Sequence, residues 1–296
     1  MKRTILLCAA GLLALAACGR DADETAPETE TGEIAAPDPE TGETGGAPAD
    51  VADDAQDLSE AVPSGDRPLV QDFDTEYANI SVTLPEEAAS DPALYDLLMR
   101  AAEAEAEEAR EVARDGHAAS EQDGFPFHTH ELDIAWETEF ANGEVLSLLK
   151  TVYVFQGGAH PNTYYDALNW RRDSHSEFGI DDVITGQTGY EALSVAAEAA
   201  LMAEKRERLG EGLTDAEYWK EDVIYATAPT PENFQLFTLA PSASDAAKAG
   251  GIALHYAPYA VGPYAEGAYS IVIPQAAFAD YITDRYAGLF AGEPED

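Results

Sequence analysis

Residues 128–172 read HTHELDIAWETEFANGEVLSLLKTVYVFQGGAHPNTYYDALNWRR, and this stretch decides the fold. Two runs rich in β-branched and aromatic residues flank Asn142 and Gly143, the dipeptide most typical of a two-residue hairpin turn. A third run, TYYDALNWRR at 163–172, follows a short corner that contains glycine and proline. The stretch therefore predicts three consecutive antiparallel strands.

The corner between the second and third runs has the sequence GGAHPN at 157–162. Its two glycines can adopt positive φ at little cost, and Pro161 disfavours the helical conformation for His160. Backbone geometry therefore accounts for most of the corner. Two interpretations of His160 stay open: an exposed residue at the tip of a sharp turn, or part of a binding site.

The rest of the folded part alternates between strand and helix patterns. Asp91 is placed to cap a helix whose first turn contains Pro92. Most neighbouring strands are linked as hairpins, which predicts an α+β fold with a largely antiparallel sheet and two or three packed helices. The other predicted strands lie at 73–85, 233–240, 251–259 and 268–274, and the predicted helices at 91–115, 187–209 and 275–290.

The first residues carry a targeting signal. Lys2 and Arg3 precede the apolar run 5–17, which is shorter than the ~20 residues that a membrane-spanning helix needs. We therefore expect a signal peptide over residues 1–17. The run ends in LAAC, which resembles the bacterial lipobox and implies that Cys18 is lipidated and anchors the protein to the membrane through acyl chains. An ordinary signal peptide with a free Cys18 is the alternative.

The residues after the cysteine indicate a compartment and a tether. Gly19 stands where an aspartate would resemble an inner-membrane retention signal, which favours a cell-envelope location at the outer membrane, facing the periplasm. Residues 18–65 are rich in Glu, Asp, Thr, Pro and Gly, which predicts a disordered acidic tether. The chain has 57 acidic and 16 basic residues and a net charge of -41, so nucleic acid is not expected as a partner.

Three stretches resemble signatures of a known family. They are VYVFQGGAHPNTYYDALNW at 152–170, FGIDDVI at 178–184 and GIALHYAPYAVGPYAEGAYSIVIP at 251–274. The family comprises extracytoplasmic domains found beside the catalytic domain of the deacetylase PdaC and in the anti-sigma factor RsiV. The resemblance implies an envelope-facing α+β domain, with a PdaC-like N-terminal half at 66–175 and an RsiV-ectodomain-like C-terminal half at 176–296, packed as one unit.

Catalysis is not the favoured interpretation, and we expect no catalytic residue, metal or cofactor. The six histidines contain no pair four residues apart, so the helical His-x-x-x-His of metal-dependent polysaccharide deacetylases is missing. The alternative is a metal-dependent hydrolase or deacetylase that acts on cell-wall polysaccharide. In that case His128 and His130, on one strand face, would bind zinc together with His117 or Asp133. The adjacent pair 181–182, two aspartates, is a weaker candidate for glycoside chemistry.

The two favoured hypotheses are binding functions. Tyrosines that cluster with glycines at 256–269 could stack on the sugar rings of cell-wall glycan such as peptidoglycan, although such rings also pack on sheets. The acidic charge could instead steer a basic envelope-directed protein, lysozyme for instance. Stacking tolerates salt and steering does not, so salt distinguishes the two. The candidate binding residues are Gly157, Gly158, His160, Pro161, Asn162, Tyr259 and Gly262.

Overall fold

The structure is a computed structural model that describes residues 67–210 and 217–295. The predicted signal peptide (1–17), the lipidation site Cys18 and the acidic tether (18–65) lie outside these residues and stay predictions. Within the described residues, no helix is both long enough and apolar enough to cross a bilayer.

In the described part of the chain, six strands form the first sheet, in chain order from one edge to the other. The three antiparallel strands predicted from residues 128–172 are its β3, β4 and β5, which confirms that prediction. The strands are β1 (Val70–Asp72), β2 (Ala78–Thr83), β3 (His130–Ala141), β4 (Val145–Phe155), β5 (Asn162–Arg171) and β6 (Ser176–Glu177).

The turn between β3 and β4 forms at the predicted dipeptide. The Asn142 side chain accepts hydrogen bonds from the backbone N–H groups of Glu144 (2.8 Å) and Val145 (2.9 Å). Asparagine favours such turns because its short side chain can replace a backbone acceptor. This local chemistry sets the register of the longest hairpin in the first sheet.

A long helix, α1 (Pro92–Asp123), connects β2 to β3, and these two strands are parallel. The Asp91 carboxylate accepts from the N–H groups of Ala93 and Leu94 at 3.1 Å each, so the predicted cap is confirmed. The helix continues past the predicted end at 115. Gly116 does not break it, and its missing side chain leaves room for the His130 ring. Gly124, in the left-handed conformation, ends the helix.

A second sheet follows, antiparallel and three-stranded within the described residues. The polar stretch around 243 and 244, which has no apolar alternation, is the turn between its first two strands. Its strands are β7 (Phe237–Ser242), β8 (Asp245–Tyr256) and β9 (Tyr269–Pro274). The further helices are α2 (Ile180–Val183), α3 (Gly186–Leu209) and α4 (Glu217–Ala226), of which α2 and α4 were not predicted.

The second sheet meets the first through a buried polar network. Ser147 of β4 donates to the side-chain oxygen of Asn169 of β5 at 2.6 Å. Ser147 also accepts from the N–H of Leu239 (2.8 Å), and the Asn169 amide donates to the carbonyl of Phe237 (3.0 Å). Buried backbone groups need hydrogen-bond partners. These two side chains supply partners for β7 backbone groups that are not bonded to a neighbouring strand.

The predicted C-terminal helix at 275–290 is wrong. The segment contains two short 3-10 turns, Gln275–Ala277 and Ala279–Tyr281, and then bends across the domain. Its backbone bonds to other elements: the carbonyl of Tyr281 accepts from Thr185 (2.8 Å), and the carbonyl of Leu289 accepts from Ala249 (3.0 Å). These tertiary bonds replace the helical ones, although Phe278 and Leu289 are buried as expected.

The edges of three other predicted strands also shift. Residues 73–77 form a loop. The carbonyl of Phe73 accepts hydrogen bonds from the Arg110 side chain of α1 at 2.9 and 3.0 Å and not from a neighbouring strand. The chain forms a 3-10 turn at Pro231–Phe234 before β7, and β8 ends at Tyr256. Each difference lies where a side chain or turn satisfies the backbone in place of a neighbouring strand.

Candidate functional site

The corner between β4 and β5 folds as its glycines predict. Gly157 and Gly158 have φ values of 82° and 101°, where a side chain would strain the backbone. His160 is exposed, and β5 begins at Asn162. The two glycines thus fix the position at which His160 leaves the sheet.

The second candidate stretch connects β8 to β9. Tyr259 has a φ of 75° there, in the left-handed region that tyrosine rarely adopts, and its side chain is 60% exposed. Such a backbone costs on the order of 1–3 kcal/mol and persists only where the surrounding structure holds it, often at binding sites. Buried Val261 anchors the loop.

The two stretches meet. The His160 ring stacks on the Tyr264 ring at a centroid distance of 3.9 Å and an interplanar angle of 20°. Tyr259 lies 5.4 Å from Tyr264, and its hydroxyl is 3.5 Å from Nε2 of His160. The Tyr264 hydroxyl donates to the carbonyl of Pro161 at 3.0 Å. We refer to His160, Tyr259 and Tyr264 as the ring cluster.

A buried ion pair holds the loop that carries the ring cluster. Nζ of Lys205, on α3, lies 2.7 Å from Oε2 of Glu266, and the two side chains are 1% and 5% exposed. The Tyr269 hydroxyl donates to the same oxygen at 2.6 Å. Burial is the main reason that the pKa of Tyr269 is raised, and this hydrogen bond to Glu266 raises it further. Arg208 donates to the carbonyls of Glu266 (2.9 Å) and Ala268 (2.7 Å).

Gly262 is needed because of that ion pair. A Cβ atom at this position would lie 2.7 Å from Oε2 of Glu266, closer than atoms in contact can approach. Gly262 was predicted as a binding residue, and the structure places it within the β8–β9 loop, against the buried carboxylate of Glu266. Gly262 therefore has a packing role beside the ring cluster.

Two family models match the chain. The model described as deacetylase PdaC matches residues 71–163, and the model of a protein of unknown function, DUF3298, matches residues 181–276. The chain carries a PdaC-like domain followed by a DUF3298 domain. No sequence among the curated proteins matches it.

Solved structures of DUF3298 proteins resemble the chain in fold. A DUF3298 family member from Bacteroides fragilis is 20% identical with a TM-score of 0.51, and the match covers 72% of this chain and 87% of that one. A DUF3298 family protein from Pseudomonas aeruginosa is 18% identical with a TM-score of 0.46, over 76% and 95% of the two chains. The first of these likenesses supports the α+β fold and nothing further.

The ring cluster spans both domains. His160 lies in the PdaC-like domain, whereas Tyr259 and Tyr264 lie in the DUF3298 domain. Ligand sites occur preferentially where domains meet, because side chains from two units can converge there. Of the predicted residues, the structure brings together His160, Pro161 and Tyr259 directly.

The histidines proposed for zinc do not form a site. β3 begins at His130, whose ring stacks on Phe127 at 5.4 Å, and burial lowers its pKa. His128 precedes the strand and is exposed, so the prediction of one shared strand face is wrong. His117 stacks on Tyr77 at 4.3 Å. Across residues 67–210 and 217–295, no group of three His, Cys, Asp or Glu side chains could hold a metal.

Asp182, the second residue of the aspartate pair 181–182, has a structural role. Oδ2 of Asp182 lies 3.0 Å from the Arg171 guanidinium and accepts from the N–H of Gly179 at 3.0 Å. It therefore caps α2 and ties this helix to β5. A carboxylate held in this way stabilises the fold, since both of its interactions are with the protein.

Sequence reasoning missed two features of the site. Tyr264 was noted among the tyrosines but not chosen, and the signal for it was the Gly-Pro that precedes it. Lys205 interrupts the apolar stripe of α3, because it follows Leu201 at the helical spacing of four. A lysine at a core position predicts a buried partner, which here is Glu266.

Proposed function

We propose that the protein is a non-catalytic cell-envelope module that binds cell-wall glycan at the ring cluster. The observation that carries this proposal is the strained, exposed Tyr259 beside the stacked pair of His160 and Tyr264. Aromatic faces bind the apolar faces of sugars, and their hydroxyls supply hydrogen bonds. The three rings lie at the junction of the PdaC-like and DUF3298 domains, where a chain-like ligand can contact both.

A basic envelope-directed protein is the second candidate. The net charge of -41 favours it, since an acidic surface raises the association rate of a basic partner. The ring cluster favours glycan instead, because charge steering does not require stacked rings or a strained tyrosine. Binding of lysozyme that disappears at moderate salt would support the second candidate.

The proposed anchor is Cys18. The lipobox resemblance supports it, and each buried methylene of an acyl chain contributes about 0.8 kcal/mol to membrane binding, so several chains give a stable anchor. We infer an outer-membrane location facing the periplasm. Mass spectrometry of the N-terminal peptide from native membranes tests this: a lipid-modified Cys18 is expected, and an unmodified N-terminus from a soluble extract would contradict it.

Binding to insoluble peptidoglycan tests the glycan proposal. The purified chain is mixed with peptidoglycan at low and moderate salt, and the bound fraction is measured after sedimentation. Tyr259→Asn keeps the left-handed backbone, which asparagine tolerates, and removes the ring. We expect it to weaken binding about 3- to 10-fold, the range that one aromatic contact provides.

A matched control is Tyr225→Asn. Tyr225 lies on α4 of the DUF3298 domain and is 82% exposed, outside the ring cluster. Its replacement should leave binding unchanged. Absence of binding by the unaltered chain at both salt concentrations would rule out the proposed function.

A further inference from the structure

The face of the first sheet opposite α1 is only partly covered. β7 crosses it at Ser147 and Asn169. Nearer the β4–β5 corner, the side chains on this face are half-buried or exposed and lie outside the core. We call this set the open face: Asp133, Thr151, Tyr153, Thr163 and Tyr165.

The strand register places these residues side by side. Tyr153 of β4 pairs with Asp133 of β3 and with Thr163 of β5. Thr151 pairs with Tyr165, so the two tyrosines are diagonal neighbours at a separation of roughly 7–8 Å. The result is a patch of two tyrosines and two threonines with a carboxylate at its edge.

The open face continues into the ring cluster. The Tyr264 hydroxyl of the ring cluster donates to the carbonyl of Pro161 at 3.0 Å, two residues before Thr163 of the open face. At the other end, the Tyr165 ring lies 6.4 Å from the His255 ring of β8. Tyrosine rings thus follow one another from the β8–β9 loop across the sheet.

The carboxylates beside these rings have no cationic partner within residues 67–210 and 217–295. Asp133 accepts a hydrogen bond from Ser81 at 2.7 Å. Among the described residues, no lysine or arginine forms an ion pair with Asp133 or Glu131. A cation placed over a tyrosine face here would be attracted by the ring and by both carboxylates.

We propose that the open face is a second part of the glycan site and selects sugars that carry a protonated amino group. This inference rests on the proposed function. The negative charge disfavours acidic glycans, and the threonine hydroxyls beside the tyrosines suit the hydroxyls of a sugar. Glucosamine units meet these requirements, whereas N-acetylated units lack the charge.

Calorimetric titration with two sugar oligomers tests the selectivity. The purified full chain is titrated with a glucosamine tetramer and with an N-acetylglucosamine tetramer, at low salt and at a pH where the amines are protonated. The glucosamine tetramer should bind about 2- to 5-fold more tightly, as an exposed cation–π contact allows. Asp133→Asn should reduce this difference, since Glu131 and the tyrosine rings remain, and should leave the binding of the N-acetylated tetramer unchanged.

Asp166→Asn is the matched control. Asp166 is exposed on the same sheet, but it belongs to the opposite face, since it pairs with Lys150, whose side chain contacts Glu105 of α1. The control should keep the preference for the amine. Equal affinity of the unaltered chain for both tetramers would overturn the selectivity while the glycan proposal stands.

Two further outcomes separate this inference from the proposed function. If neither tetramer binds and the chain also fails to bind peptidoglycan, both proposals fail. If neither tetramer binds but lysozyme does, and Asp133→Asn weakens that binding, the open face receives lysine or arginine side chains of a protein and the inference is overturned. A preference of unchanged size in Asp133→Asn would also contradict it.

Discussion

Replacing Lys205 by methionine should strongly destabilise the DUF3298 domain. Methionine has nearly the same length but no charge, so the Glu266 carboxylate would remain almost fully buried without its cation. The loss of one partner from a buried ion pair costs about 3–5 kcal/mol, because the remaining charge stays desolvated. The Tyr269 hydroxyl still donates to Glu266, which places the expected cost toward 3 kcal/mol.

The double variant Lys205→Met/Glu266→Gln isolates the pair. It removes both charges while the amide can still accept from Tyr269. Its free energy of unfolding should be higher than that of Lys205→Met, and the coupling energy should reach about 2–3 kcal/mol. Urea unfolding followed by circular dichroism provides these values. Arg206→Met, exposed on the same helix, is the control and should change stability by less than about 0.5 kcal/mol.

The ion pair also predicts an effect on the ring cluster. Loss of the pair should release the β8–β9 loop, and the His160 ring protons should lose the ring-current shift that stacking on Tyr264 produces. Proton NMR of the folded Lys205→Met variant measures this. A loss of less than about 1 kcal/mol in the free energy of unfolding of Lys205→Met would refute the reasoning on the buried pair. Strict additivity of the two single substitutions in the double variant would refute it as well.

Three further predictions concern buried polar groups. Burial lowers the pKa of His255 to about 4 against the ordinary 6.5. The unfolded chain therefore binds a proton more readily, and the free energy of unfolding falls by up to about 3 kcal/mol as the pH drops from 6.5 to 4. His255→Gln should flatten this part of the stability–pH profile, and an unchanged profile would contradict it. Asp91→Ala should cost about 2–4 kcal/mol in urea unfolding, because α1 loses its cap and the Trp170 indole, now 2.9 Å from the carboxylate, loses its acceptor. Asn169→Ala should cost about 1–3 kcal/mol, since the buried carbonyl of Phe237 loses its donor; a cost below 0.5 kcal/mol would argue against this docking contact.

Local signals predicted most of the fold. The Asn142–Gly143 turn and the Asp91 cap act within a few residues, so the sequence contains the whole cause of each. The C-terminal segment shows the limit. Its apolar spacing fits a helix, but Thr185 and Ala249, distant in the chain, supply the backbone bonds that decide its conformation. Elements controlled by tertiary hydrogen bonds cannot be predicted from their own residues.

The candidate site shows the same difference between features with local causes and features with tertiary causes. The glycine corner was predicted from its backbone chemistry, whereas Tyr259 was placed at the end of a predicted strand that stops at Tyr256. The meeting of the two stretches was not predicted, because it depends on the docking of β7 against Ser147 and Asn169. The partner of Lys205 lies 61 positions along the chain, although a lysine in the apolar stripe of α3 already indicated a buried acid.

Chemical-shift mapping tests the central claim most directly. Soluble cell-wall glycan fragments are added to the labelled protein, and the resonances of the three rings are followed during the titration. We predict saturable shifts centred on His160, Tyr259 and Tyr264, with the Tyr225 ring unaffected. Shifts confined to other surfaces, or no shift at saturating glycan, would contradict the claim that the ring cluster binds glycan.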